Sequence, residues 1–205
     1  MAQELTPATH TEQVVRKRPK PGERRIQILQ ALAAMLEQPG AERVTTAALA
    51  AKLQVSEAAL YRHFASKAQM FEGLIDFIET SIFGLLNQIT EGPHDTQDKL
   101  RRMVSVVLQF AERNPGMARV MVGDALVFEN ERLQQRMNLF FDKVEASVRQ
   151  VLRGPDADSI TPTVDAQVKA SLVISFVLGR LQRFARSGYK RSPLEHLSAT
   201  LAIML

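Results

Sequence analysis

The hydrophobic residues of this chain recur every three or four positions, which is the period of an amphipathic α-helix. The first stripe consists of Ile26, Leu29, Leu32, Ala33 and Leu36. It predicts a helix that runs to about Gln38, before Pro39-Gly40. The same period continues to the C-terminus, and no segment alternates convincingly like a strand. The pattern therefore predicts an all-α protein of about nine helices.

Two short helices are expected after the first one. Thr45 or Thr46 can cap a helix that ends at Leu53, and Ser56 can cap the next, which runs through about Phe64. Only a two-residue turn separates them. Two short helices joined by a tight turn are typical of a helix-turn-helix, whose second helix enters the major groove of DNA.

Longer helices are expected in the rest of the chain. Ser66 and Gln69 form a capping box that begins a fourth helix, and Gly92-Pro93 ends it. The remaining helices are expected near residues 100–111, 115–127, 133–151, 164–184 and 194–204. The eighth is apolar on nearly all sides around residues 172–178, so it should be buried on all sides. The ninth should begin at a second capping box, at residues 192–195.

The chain divides by composition and charge into three parts. Residues 1–22 are polar with no period, and we expect a disordered basic tail. Residues 23–69 hold the expected helix-turn-helix, and residues 70–205 form a helical body. Residues 1–69 carry ten Lys/Arg and six Asp/Glu, whereas residues 70–205 carry sixteen of each. A basic segment joined to a neutral body is the layout of a nucleic-acid binder, although a solvated basic tail explains it equally well.

Several classes of protein are disfavoured by the sequence. The chain has no cysteine, which excludes disulfides, and its most apolar window, residues 170–179, is too short to span a bilayer. No signal-peptide pattern occurs at the N-terminus. The four histidines lack metal-ligand spacing, and no catalytic, phosphate-loop or dinucleotide motif occurs. We therefore expect a cytoplasmic protein with no catalytic residue, metal or cofactor.

The second helix of the expected helix-turn-helix has the side chains of a DNA reader. Ala58 and Ala59 keep its exposed face slim, so its first turn can approach base edges or thymine methyl groups. Lys67 opposes the dipole at the start of the fourth helix, which indicates an anion nearby. The residues expected at DNA are Thr45, Thr46, Ser56, Glu57, Ala58, Tyr61, His63 and Lys67. Tyr61 could instead fill the core, as we expect for Phe64, and His63 could be an ordinary surface residue.

The segment TTAALAAKLQVSEAALYRHFASK, residues 45–67, resembles the DNA-binding domain of the TetR family of regulators. The matching features are the helix-turn-helix, the tyrosine-centred motif and the following Phe-x-x-Lys. The resemblance implies a homodimer whose interface is a four-helix bundle built from the last two helices of each subunit. Gln54 departs from the common pattern, because many such turns have glycine there. A positive φ at Gln54 would cost on the order of 1 kcal/mol.

From about residue 24 to residue 153 the chain resembles one branch of that family, the nucleoid occlusion factors. The block ERNPG followed by GDALVFENERLQQR is specific to that branch. This resemblance implies binding to palindromic chromosomal sites, with room for more than one dimer per site. It also implies that the DNA-bound protein inhibits assembly of the cell-division GTPase FtsZ over the nucleoid.

The same resemblance implies that FtsZ binds the fourth and fifth helices, at Phe77, Arg113 and Asn114. Phe77 lies off the apolar stripe of its helix, so it is either exposed or packed on a neighbouring helix. Asn114 also precedes a proline and should cap the next helix. Leu85 and Gln109 lie on the same face and depart from the pattern of that branch.

Two other functions are compatible with the sequence. One is a TetR-type transcriptional repressor released by a small apolar ligand, which would occupy a pocket of ~300–1,000 Å³ among the fifth to eighth helices. The other is a small helical enzyme, which no motif favours.

Overall fold

The computed structural model describes residues 22–38, 43–154 and 162–205, and every regular element within them is helical. The helices are α1 (Glu23–Leu36), α2 (Thr46–Leu53), α3 (Glu57–Tyr61), α4 (Lys67–Glu91), α5 (Thr96–Arg113), α6 (Pro115–Met121), α7 (Glu131–Leu152), α8 (Pro162–Arg186) and α9 (Leu197–Met204). A single 3-10 turn, Asp124–Leu126, lies between α6 and α7. The all-α prediction is thus confirmed over the described ranges. The predicted tail lies outside them, apart from Gly22.

Hydroxyl side chains cap α2, α3 and α4, as the sequence predicts. The Oγ atoms of Thr45, Ser56 and Ser66 accept the N–H groups of Ala48, Ala59 and Gln69 at 3.1, 3.3 and 3.2 Å. The Gln69 side chain reaches back across the same turn and accepts the N–H of Ala65 at 2.9 Å. These contacts satisfy N–H groups that a helix start would otherwise leave unpaired.

Three predicted helix bounds are wrong. α3 ends at Tyr61 rather than near Phe64, because the N–H groups of His63 and Phe64 both donate to the Leu60 carbonyl and tighten the last turn. α6 ends at Met121, since Gly123 has φ 80° and turns the chain. Because of these early ends, α3 and α6 are short and are clearly separated from the helices that follow them.

The third error concerns α9, which begins at Leu197 rather than at residues 192–195. The Ser192 hydroxyl accepts the N–H of Leu194 at 3.1 Å and donates to Glu112 on α5. His196 then has φ 51°, which is incompatible with a continuous helix. A contact with a distant helix therefore replaces the local capping box.

The core of the body lies between α4, α5, α7 and α8. Phe140 of α7 contacts Phe83 and Phe141 edge-on, with ring centroids 5.4 and 5.0 Å apart. The inner face of α8 is buried, but Val164, Val168 and Leu172 on its outer face are more than half exposed. The prediction that α8 is buried on all sides is therefore wrong for a single chain. No helix in the described ranges is long and apolar enough to cross a membrane.

The N-terminal helices are fixed to the body at the end of α1. The Leu36 carbonyl accepts the Tyr189 hydroxyl at 3.1 Å and Nη1 of Arg119 at 3.3 Å. Burial raises the pKa of the Tyr189 hydroxyl, which keeps it protonated as a donor. At Gly116, α6 comes so close to α1 that an added Cβ would lie 2.4 Å from the Ala33 carbonyl oxygen. α1 is therefore packed firmly against α6 and bonded to the segment that follows α8.

Gln54 has φ 54°, so a residue with a Cβ occupies the left-handed region at the end of α2. We expect Gln54→Gly to raise the free energy of unfolding by about 1 kcal/mol and the Tm by roughly 2–4 °C. Gln54→Ala is the control, because it keeps the Cβ while removing the rest of the side chain. An equal gain in both variants, measured by thermal unfolding, would show that backbone strain is not the cause.

Candidate nucleic-acid interface

The turn between α2 and α3 is a compact helix-turn-helix. Ala50 is buried and small, so the two helices cross closely above Leu49 and Leu60. The N–H of Gln54 donates to Ala51, and the N–H of Val55 donates to Ala50, both at 3.0 Å. These two hydrogen bonds end α2 and set the orientation of α3 relative to it.

The outer face of α3 is open to solvent. Ser56, Glu57, Ala58 and His63 are exposed, and Tyr61 is 46% exposed. Thr45 and Ser56 accept backbone N–H groups as caps, which leaves each hydroxyl hydrogen available to an acceptor. These side chains lie on or beside one short helix, in reach of a common ligand.

Thr46 and Glu57 are joined by a direct hydrogen bond. The Thr46 hydroxyl donates to Oε2 of Glu57 at 2.5 Å, linking the first turns of α2 and α3. The carboxylate lies in the first turn of α3, where the helix dipole favours a negative charge. It would repel a phosphate but can accept a hydrogen bond from the amino group of cytosine. Of these two predicted site residues, Glu57 is thus suited to bases rather than phosphates.

The prediction that Phe64 fills the core is confirmed, and the ring has a partner that sequence reasoning missed. Phe64 is buried, and the guanidinium carbon of Arg25 lies 4.0 Å from its ring centroid. Nη1 of Arg25 also donates to the His63 carbonyl at 2.8 Å. Arg25 therefore fixes the segment that follows α3. Its position in a basic run of the sequence did not indicate this role.

Lys67, at the first position of α4, lies beside a carboxylate of the body. Its ammonium forms an ion pair with Oε1 of Glu129, and Nε of Arg43 lies 3.6 Å from the same oxygen. The Glu129 side chain is only 7% exposed. Neither Arg43 nor Glu129 has a sequence signal that would have predicted this contact, because Glu129 is 62 residues from Lys67.

Two of the three residues expected at a protein partner contact Phe110 of α5, and the third, Arg113, lies three residues after Phe110 on the same helix. The Phe77 ring is 50% exposed, and its centroid lies 5.8 Å from that of Phe110. Nδ2 of Asn114 donates to the Phe110 carbonyl at 2.8 Å, and Arg113 is exposed beside it. Asn114 is the N-cap residue of α6 and precedes Pro115, as predicted, but its side-chain amide bonds back to α5 instead of accepting an N–H group of α6.

Ion pairs between α4 and α7 hold the segment of α4 around Phe77. Arg136 donates to Glu79 at 2.7 Å and to Asp76 at 2.5 Å, and Arg132 lies 2.7 Å from Glu72. The hydrogen bond to Glu79, followed by the one to Asp76, raises the pKa of the Arg136 guanidinium despite its partial burial. These contacts fix the segment of α4 that carries Phe77, on a face other than the one that meets Phe110.

Two family descriptions match this chain. Residues 28–74 match the family described as bacterial regulatory proteins, tetR family. Residues 94–205, more than half of the chain, match the SlmA-like tetracyclin repressor-like C-terminal domain.

Two relatives of similar length are nucleoid occlusion factors. The chain is 48% identical over 182 residues to the nucleoid occlusion factor SlmA of Idiomarina loihiensis, covering 88% of this chain and 93% of the relative. It is 51% identical over 175 residues to the nucleoid occlusion factor SlmA of Photobacterium profundum, covering 84% and 89%.

Solved structures share the fold at lower identity. The TetR family transcriptional regulator PfmR from Thermus thermophilus aligns with a TM-score of 0.70 and 22% identity, covering 87% of this chain and 94% of that one. The fatty acid degradation regulator FadR from Bacillus halodurans aligns with a TM-score of 0.71 and 14% identity, covering 91% and 96%. At these identities the likeness concerns the fold alone.

Proposed function

Since this chain belongs to the SlmA family of nucleoid occlusion factors, within the TetR family, we propose that it binds palindromic chromosomal DNA and inhibits FtsZ assembly over the nucleoid. It acts in the cytoplasm on the nucleoid, as a homodimer, with no catalytic role. The observation that carries the proposal is the half-exposed ring of Phe77. Phe77 lies on α4. The first residue of this helix, Lys67, belongs to the proposed DNA-binding unit, residues 23–69.

The DNA-binding half of the proposal is supported by the chemistry of α3. Tyr61 and His63 are exposed at the end of this helix, and the hydroxyls of Thr45 and Ser56 are available at the starts of α2 and α3. Such groups donate to phosphates and set the position of a protein on the duplex. The first turn of α3, with Glu57 and the small Ala58, would meet the base edges.

The FtsZ-binding half is supported by the surface around Phe110. The ring of Phe77 offers an apolar contact, and Arg113 is an exposed cation with no ion-pair partner among the described residues. A partner segment that places an apolar side chain on the rings and a carboxylate on Arg113 would fit. Leu85, also exposed, lies about two turns further along α4 and extends the apolar surface.

The dimer is proposed to form through the outer face of α8. Val164, Val168 and Leu172 follow one another at intervals of four residues on this face, and each is more than half exposed. A contiguous apolar face of this kind is typical of a protein interface. On α9, the second helix of the expected interface, Ile203 is the corresponding exposed residue.

A repressor released by a small apolar ligand is the weaker alternative. The depression between α7 and α8 has a volume of about 600 Å³, but Asp142, Glu145 and Gln182 are among its lining residues. Charged and amide side chains do not suit an apolar ligand. The depression also includes Leu178, on the face that we propose for the dimer.

The role of Tyr61 can be tested by removing its side chain. A hydrogen bond to a charged group contributes about 1.5–3 kcal/mol, so Tyr61→Ala should weaken binding to palindromic and unrelated DNA alike by roughly ten- to a hundredfold. Fluorescence anisotropy measures both affinities. Tyr61→Phe separates the hydroxyl from the ring, and unchanged binding by both variants would remove Tyr61 from the interface.

The partner surface can be tested independently of DNA. Arg113→Asp should preserve DNA affinity but abolish inhibition of FtsZ polymerisation, because it replaces the exposed cation three residues after Phe110 with a carboxylate. Arg101→Asp is the matched control, since it makes the same charge change on an exposed position near the other end of α5. If Arg113→Asp retains full inhibition, measured by FtsZ sedimentation, the partner surface lies elsewhere.

The dimer face can be tested with one buried charge. Leu172→Glu should convert the dimer to a monomer in sedimentation equilibrium, because an unpaired carboxylate in an apolar interface is strongly unfavourable. Gln88→Glu adds the same charge at an exposed position of α4 and should leave the dimer intact. An intact dimer in Leu172→Glu would exclude this face of α8.

A further inference from the structure

Glu129 is a nearly buried carboxylate that the proposed function leaves without a role. It lies just before α7, and its Oε1 contacts both the ammonium of Lys67 and, at 3.6 Å, Nε of Arg43. The Lys67 side chain is 17% exposed, and its ammonium also lies 5.6 Å from the centroid of the Phe71 ring. Glu129, which belongs to the body, is therefore shared by two cations of the N-terminal unit, residues 23–69.

Both cations lie beside helix starts that face the proposed DNA. Arg43 is two residues before Thr45, the cap of α2, and Lys67 follows Ser66, the cap of α4. Helix starts attract phosphate oxygens through their N–H groups and dipole. A carboxylate at Lys67 presents the same chemistry as a phosphate oxygen, namely an anionic oxygen beside a cation at a helix N-terminus.

We propose that Glu129 is an internal competitor of DNA phosphate for Lys67 and Arg43, and that Arg43 is a further phosphate-contacting residue. This inference rests on the proposed DNA-binding function. In the free protein the two cations neutralise Glu129, whereas in the complex they exchange it for phosphates. The affinity for DNA is thereby lowered by the cost of breaking the internal ion pairs.

The exchange requires the segment that carries Glu129 to move. A carboxylate left buried without a partner is strongly unfavourable, so Glu129 must reach water when its cations leave. The neighbouring Val127 and Phe128 are 67% and 72% exposed, so little packing holds this segment in place. The ion pairs with Arg43 and Lys67 join this segment to residues that lie before α2 and at the start of α4.

The direct test is DNA binding by Glu129→Gln, measured by anisotropy over a range of salt concentrations with palindromic and unrelated duplexes. In Glu129→Gln no carboxylate competes for Lys67 and Arg43, so both cations are free before DNA binds. The affinity of the variant for both duplexes should therefore be about tenfold higher than that of the wild type. In the wild type the released carboxylate takes up a cation, which offsets part of the counterion release. The slope of log K against log salt should therefore be steeper in the variant than in the wild type.

Glu131→Gln is the matched control. It removes one carboxylate two residues away that is exposed and that, among the described residues, is bonded to Gln135 on its own helix and to no other side chain. The control should leave affinity and slope unchanged. An equal gain in both variants would reduce the effect to net charge and overturn the proposal. Unchanged or weaker binding in Glu129→Gln would also overturn it, the latter by making Glu129 a positioning residue for Lys67.

A second variant tests the proposal without touching the buried carboxylate. Arg43 is 57% exposed, so Arg43→Gln should fold normally. It should weaken DNA binding by about tenfold and reduce the salt slope by about 0.9, the value for one phosphate contact. Lys52→Gln, at the other end of α2, is its control and should change neither. An unchanged slope in Arg43→Gln would exclude Arg43 from the interface, whereas a wild-type protein that binds no DNA would defeat the proposed function itself.

Discussion

The burial of one face of α4 is the constraint on which the rest of this structure depends. The face contains Met70, Phe71, Leu74, Ile75, Ile78, Ile82 and Leu86, all nearly inaccessible to solvent. Burying a side chain of this size contributes on the order of 1.5–3 kcal/mol, so the face as a whole contributes a large part of the stability of the fold. α4 packs against α1 on one side and against α5 and α7 on the other. As a result, a single helix carries the proposed DNA-binding unit at its start and the proposed partner surface about three to five turns later.

This arrangement gives a physical reason for the two closely spaced helix starts at Ser56 and Ser66. A five-residue α3 leaves its exposed face free of neighbours, and Arg25 holds its end through Phe64 and the His63 carbonyl. The second cap then begins α4 at once, so no flexible linker separates the proposed DNA surface from Phe77. Ion pairs from Arg132 and Arg136 hold the same part of α4 against α7. A DNA-bound chain would therefore present Phe77 at a defined distance and angle from the duplex.

Much of the fold could be predicted from the sequence because its signals are local. Thr45, Ser56 and Ser66 cap helices through N–H groups three residues away, and the helical period reports the buried faces directly. The errors arise where distant residues decide the outcome. Ser192 bonds to Glu112, 80 residues away, so its predicted capping box does not form. The outer face of α8 was predicted to be buried because its residues are apolar, although a single chain does not cover them.

The candidate site was predicted in outline but not in its contacts. The tyrosine-centred motif placed Tyr61 and Phe64, whereas the cation over the Phe64 ring comes from Arg25, and the anion beside Lys67 comes from Glu129. Such pairings depend on tertiary packing, and a single sequence carries no signal for them. The most direct test of the central claim is the sedimentation of FtsZ polymers with this protein, with and without a palindromic duplex that it binds. We expect fewer sedimenting polymers with the protein–DNA complex than with DNA alone, and a smaller effect of the protein without DNA. An equal amount of polymer in all samples would contradict the proposed function.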